Sequence, residues 1–334
     1  MKNISENQIR PAHLMNEQKS RMLTDLGRVL SKHDEFVFVS CPACGEIKST
    51  DKYEHNGLKY VECINCETFY INPRPSPAVL DWFYKDSVNY EYWNDVIFPA
   101  SEESRREKIF IPRVDRLLAY CNKYDVDKSS LLEVGAGFGT FCHELQTRNE
   151  FNRVVAVEPN RFLAKTCREK GIEVIEKPIE KINLSNDDLF DVIVNFEVIE
   201  HLFDPASFVK SCADLLRVGG LFMLTCPNGK GFDIETMGPI SDTVDNEHLN
   251  YFNKKSLGIL FQNAGFEVQE SSTPGVLDAD LVRNKILSGD FDISAQPFLK
   301  KILIDEWEKL GGAFQNFLIE HELSSNIWII GKKL

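Results

Sequence analysis

Glu133-Val134-Gly135-Ala136-Gly137-Phe138-Gly139 decides the fold. Ser129-Ser130-Leu131-Leu132 leads into it with strand character, and Thr140-Phe141-Cys142-His143-Glu144-Leu145 reads as the helix that follows. A glycine turn from strand to helix lets a ligand approach bare backbone, where the first N–H groups of the helix are available. Glu133 narrows the choice of ligand, because a carboxylate at the strand end repels a pyrophosphate and attracts a cationic group. The dinucleotide fingerprint Gly-x-Gly-x-x-Gly also fails, since Thr140 stands where its third glycine belongs.

Val154-Val155-Ala156-Val157-Glu158-Pro159-Asn160 supplies a second acid. Its continuous apolar run suits a parallel strand buried on both faces. Glu158 follows Gly137 by 21 residues, the distance at which a second strand end carries an acid to a ribose diol. Together these stretches resemble the S-adenosylmethionine site of the class-I methyltransferases. The resemblance implies that Glu133, Gly135, Gly137 and Gly139 wrap the amino-acid end of the donor. It implies that Glu158, with Pro159 beside it, meets the ribose hydroxyls. A Rossmann-like domain for another nucleotide is the competing reading.

The rest of the chain fits a doubly wound parallel sheet. Strands are predicted over 171–175, 190–196 and 221–225, with a sixth from Phe266 and a seventh from Asn326 that pairs antiparallel to the sixth. Asp204-Pro205 has the capping carboxylate and first-turn proline of a helix start, and that helix is expected to run to Arg217 and stop at Gly219-Gly220. Strands alternating with helices give an α/β fold whose ligands gather at the carboxyl ends of the strands. By the same resemblance, Ile179 and Glu180 frame the adenine. Glu197-Val-Ile-Glu200-His201 is similar to the Glu-x-x-x-His segment of small-molecule methyltransferases, which makes Glu197, Glu200 and His201 a cofactor wall. The alternative has His201 packed under the donor as structure.

Cys41-Pro-Ala-Cys44-Gly45 and Cys63-Ile-Asn-Cys66 form C-x2-C-x18-C-x2-C, the spacing of a four-thiolate tetrahedral zinc site. Short strands over 36–39, 60–61 and 69–71 complete a zinc ribbon. Four thiolates close the coordination shell, so the one zinc ion is structural. The other five cysteines read as small buried hydrophobes. These elements give an organisation of N-terminal helix (1–35, helical over about 16–31), zinc ribbon (36–75), helical and aromatic connector (76–125), and methyltransferase domain (126–334) with an insertion at about 274–323. The connector carries helices over 78–84 and 102–123. Its Tyr90 and Trp93 either pack between domains or lid a sulfonium. The insertion shapes a substrate pocket or a dimer surface. Within it, Asp278, Asp280 and Arg283 are either substrate contacts or a solvated face.

His248, in Asp245-Asn-Glu247-His248-Leu-Asn-Tyr251, is the candidate general base. The segment resembles the His-Glu-His-x-x-Tyr stretch of sugar C-methyltransferases, in which a histidine near the start of a late helix is the base. Asp245 replaces their tyrosine, and their large C-terminal domain is missing. The bland alternative is a helix-start histidine bonded to backbone. The strand-four loop lacks the Asn/Asp-Pro-Pro-aromatic motif of nucleobase methylation. A net charge of −13 argues against nucleic acid as partner. No apolar run approaches the ~20 residues that span a bilayer. A polar N-terminus without a signal segment leads to a cytoplasmic expectation. The chain therefore reads as a methyltransferase for a hydroxyl, or secondarily a carbon, of a small glycosyl-type metabolite. The rivals are a zinc-ribbon RNA methyltransferase and a non-catalytic cofactor-binding scaffold.

Overall fold

A computed structural model describes residues 6–334, apart from the side chain of Asn186. The chain packs as two compact units, each assembled from separated stretches. The sheet unit takes residues 103–226, 254–272 and 328–334; the ribbon unit takes those up to 102, 227–253 and 273–327.

The sheet unit is built on β1 (Ser130–Val134), β2 (Arg153–Val157), β3 (Glu173–Ile175), β4 (Phe190–Phe196), β5 (Leu216–Pro227), β6 (Phe266–Ser272) and β7 (Asn326–Lys333). They form one seven-stranded sheet in the order β6-β7-β5-β4-β1-β2-β3. Strands β5, β4, β1, β2 and β3 run parallel to one another, and β6 pairs antiparallel with β7. The Rossmann-like sheet with an antiparallel last strand is thus as the sequence predicts. Every residue of β1 and β4 is buried, which is why these strands read as unbroken apolar runs. Val114, Leu117, Phe141 and Leu145 bring helices onto Leu131, Val154, Val192 and Met223. The chain leaves β1 for β2 and β3, then returns to β4 on the other side of β1. A crevice therefore opens at the carboxyl end of β1.

Two boundaries differ from the sequence reading. The helix after Asp204 ends at Asp214, and Leu216 already pairs with Phe190 of β4. Gly219 and Gly220 lie inside β5: Gly219 has φ +81°, and a Cβ on Gly220 would come within 2.7 Å of the Asp191 carbonyl. These glycines accommodate a register shift within a strand; they do not end a helix. The connector is helical without interruption from 88 to 123, so the helix read from 102 begins fourteen residues earlier.

In the ribbon unit the first long helix is Ala12–Leu30, and it also begins a turn early. Phe36–Val37 pairs antiparallel with Arg74–Pro75, so only half of the expected 36–39 strand forms. A four-stranded sheet has the order Asn250–Tyr251, Phe69–Ile71, Leu58–Cys63, Ser49–His55. Ser49–His55 has no apolar face to betray it, and Asn250–Tyr251 is recruited from far along the chain. Tyr251 stacks on Phe69 with centroids 4.2 Å apart, over a core of Leu58, Tyr60, Ile71 and Leu249. In the insertion, helices Asp278–Leu287 and Trp307–Glu320 and the helical run 297–305 close around Ala279, Val282 and Leu303. Asp278 is buried and accepts from Ser325 N and from Gln315 Nε2, so it bolts the insertion together. Arg283 lies 4.9 Å over the Trp307 ring. Among the described residues, no helix is long and apolar enough to cross a membrane.

Candidate functional site

Glu133 ends β1 almost fully buried, and Cys142 Sγ donates to its Oε2 at 2.9 Å. Burial pushes the Glu133 carboxyl up to about 8, against the opposing pull of Cys142 and Arg113. The glycine turn after it places Gly135, Gly137 and Gly139 at positive φ. A Cβ on Gly135 would strike Val198 at 2.6 Å, and one on Gly139 would strike Ile172 at 2.6 Å. A Cβ on Gly137 meets nothing within 4 Å, so this glycine faces open space. Glu158 sits at the end of β2. Its Oε2 accepts from Gly137 N at 2.8 Å and its Oε1 from Asn160 N at 2.9 Å. The second acid thus ties the glycine turn to the neighbouring strand end, and burial raises its pKa.

Glu197 adopts a left-handed backbone (φ 55°) just beyond β4. Its Oε1 accepts from Thr225 Oγ1 at 2.6 Å and from the Arg113 guanidinium at 3.1 Å. Arg113 lies 4.7 Å over the Phe196 ring. Burial lowers its pKa, and Glu197, Glu133 and Glu200 oppose that shift. One arginine therefore balances three carboxylates at the strand ends. The sequence reading missed it, because Ile111-Pro112-Arg113 looks like any turn of an amphipathic helix. Glu200 is buried and His201 half-buried in the short turn Ile199–His201. Ile179 is buried under the helix Pro205–Asp214, whereas Glu180 and Pro159 are exposed. Cys142 and Cys167 are more than space-filling, since Cys167 Sγ donates to Gly137 O at 3.2 Å. The acids and the open glycine suit a ligand rich in hydroxyls and positive charge; they suit a pyrophosphate poorly.

In the ribbon unit the sulfurs of Cys41, Cys44, Cys63 and Cys66 all lie within 4.8 Å of one another. Cys41 and Cys66 are 3.4 Å apart, and Cys44 and Cys63 3.6 Å. Tetrahedral zinc with Zn–S bonds of ~2.3 Å needs sulfurs about 3.8 Å apart, so the set fits the ion. The two knuckles repeat each other. Cys41 N donates to Glu46 O and Cys63 N to Thr68 O; Gly45 N donates to Cys41 O and Glu67 N to Cys63 O. Both fifth positions are left-handed, Gly45 at φ 76° and Glu67 at φ 59°.

His248 belongs to a loop ahead of Asn250–Tyr251; the next helix begins only at Lys254. The helix-start placement is therefore corrected. Asp245 Oδ1 accepts from Glu247 N and His248 N, and this turn holds the imidazole. Nδ1 lies 2.8 Å from Thr243 O and 3.6 Å from Asp245 Oδ2. Tyr60 donates its hydroxyl to Asp245 O at 2.9 Å, and Asn89 Nδ2 donates to Glu247 Oε1 at 2.5 Å. Tyr90 meets Tyr84 edge-on at 5.5 Å.

A family model described as a methyltransferase domain matches residues 103–271, just over half of the chain. The chain belongs to that family. The chain is 34% identical over 154 residues to a Mycobacterium tuberculosis protein named "Probable S-adenosylmethionine-dependent methyltransferase", covering 45% of this chain and 52% of that one. It is 35% identical over 104 residues to the ubiquinone biosynthesis O-methyltransferase of Caulobacter sp., covering 29% of this chain and 40% of that one. The chain thus spans about half or less of the length of these relatives. An S-adenosylmethionine-dependent methyltransferase structure from Clostridium acetobutylicum superposes with a TM-score of 0.46 at 11% identity, covering 73% of this chain and 97% of that chain.

Proposed function

We propose that this chain is an S-adenosylmethionine-dependent methyltransferase acting on a hydroxyl, or secondarily a carbon, of a small sugar, polysaccharide- or lipid-linked metabolite. The observation that carries the reading is the pairing of Glu133 and Glu158 across the open glycine turn. Glu158 would receive the ribose hydroxyls, and Glu133 would face the cationic amino-acid end, with Glu197, Glu200 and His201 along the wall. The bound donor supplies an electrophilic methyl on a sulfonium. His248 would take the acceptor's proton at Nε2. The relatives named for ubiquinone O-methylation support oxygen as the attacked atom. Cys41, Cys44, Cys63 and Cys66 would hold one structural zinc ion that leaves no coordination position for substrate.

Titration calorimetry of the folded, zinc-loaded chain with S-adenosylmethionine tests the donor; a flat thermogram would remove the proposal. His248→Gln is expected to abolish turnover with an acceptor found by screening glycosyl metabolites, without weakening donor binding. Unchanged turnover would return His248 to a structural part.

A further inference from the structure

His248 is held by more than its own turn. Asp233 lies in the helix Phe232–Met237 and is almost completely buried. Its Oδ2 accepts two hydroxyls, Ser241 Oγ at 2.7 Å and Thr243 Oγ1 at 2.7 Å. Ser241 Oγ in turn accepts from Thr243 N at 3.2 Å, and Ser241 O accepts from Val244 N at 2.9 Å. The carboxylate therefore pins the loop at the residue whose carbonyl meets His248 Nδ1. Hydrogen bonds to a charged group are among the stronger ones, and burial removes competing water.

That contact has a chemical consequence. A carbonyl oxygen only accepts, so at 2.8 Å the Nδ1 of His248 must carry the hydrogen. The Asp245 carboxylate, 3.6 Å from the same nitrogen, is too distant to take over this role. In the neutral ring the basic lone pair is then on Nε2, the tautomer that a general base needs there.

We propose that Asp233 and Thr243 are positioning residues that fix the tautomer of His248 through the Thr243 carbonyl. The inference rests on the reading of His248 as base, but its test reads the ring and not the reaction. The full zinc-loaded chain, labelled with nitrogen-15 in histidine, is studied by long-range proton–nitrogen correlation at a pH of about 8.5, where histidine is neutral. The His248 signal is identified among the seven histidines by its loss in His248→Gln. The parent is expected to show hydrogen on Nδ1 and none on Nε2. Thr243→Val and Asp233→Asn are expected to move the ratio toward the Nε2–H form by about threefold to tenfold, the effect of one ordinary hydrogen bond. Thr243→Ser, which keeps the hydroxyl, retains the parent ratio.

A parent ring protonated on Nε2 overturns the proposal. So does an unchanged ratio in both variants when their zinc content and circular dichroism match the parent. Should neither variant fold, the parent spectrum decides alone: hydrogen on Nδ1 supports the proposal and hydrogen on Nε2 ends it. If His248→Gln leaves turnover intact while the parent shows the Nδ1–H ring, the base assignment fails and the tautomer device stands.

Discussion

The crevice of the sheet unit and the His248 loop of the ribbon unit are both organised by carboxylates, yet they are built in opposite ways. In the crevice, Glu133 and Glu158 terminate adjacent parallel strands, so the sheet fixes their spacing before any side chain is chosen. In the loop, Asp233, Asp245 and Glu247 are aligned by bonds among side chains and turns. A site at strand ends inherits its precision from topology, while a site on a loop needs anchors of its own.

Removing the metal breaks this contrast hardest. In small zinc modules the ion supplies on the order of 10 kcal/mol of folding free energy. Cys63→Ser, or chelation, is expected to abolish zinc binding and the near-ultraviolet signal of the Tyr60–Phe69–Tyr251 core. Donor binding by the sheet unit should survive within a few fold. Joint loss of both in calorimetry would show that the crevice lacks the independence its topology suggests.

Glu158→Ala is the next largest. Losing two charge-assisted bonds to the ribose, each about 1.5–3 kcal/mol, weakens donor affinity by about a hundredfold or more. A change below threefold in the calorimetric Kd would detach Glu158 from the donor.

The carboxyls also titrate. Burial, reinforced by Asp245, pushes Glu247 up to about 8. A carboxyl raised above its ordinary range costs the folded state as pH climbs from that range through 8, because the unfolded chain ionises first. Glu247→Gln should therefore gain about 1–2 kcal/mol more at pH 9 than at pH 5 in urea unfolding. An equal effect at both values would mean that Glu247 is ionised throughout.

The smallest signal belongs to Glu133, also raised to about 8 by burial. A cation settling beside it lowers that value, so donor binding at pH 7 should release up to about one proton. The release should fade by pH 9. Calorimetry in buffers of different ionisation heat reads it directly, and Glu133→Gln should erase it. Release that persists in the variant would assign the proton elsewhere.

The same contrast explains what could be read in the sequence. The glycine turn, both acids and the alternation of strands with helices follow from periodicity and short motifs, because backbone geometry does most of the positioning there. The four cysteines were legible because thiolate spacing is itself the constraint. Arg113 was not, since its meaning comes from three acids supplied by other strand ends. Asp233 and Thr243 were not, since a buried carboxylate receiving two hydroxyls leaves no periodic trace. The Gly219-Gly220 pair was misread because a strand that bulges and a helix that stops both call for glycine.

The pairing of Asn250–Tyr251 with Phe69–Ile71 has a consequence for synthesis on the ribosome. At about 5–20 residues per second, the early strand emerges roughly 10–40 s before its partner is translated. Throughout that interval the nascent chain exposes an unfilled hydrogen-bonding edge and the ring face of Phe69. Such an edge invites capture by a neighbouring polypeptide, so slow translation or crowded polysomes should penalise the yield of this protein more than that of one whose early strands are all partnered locally.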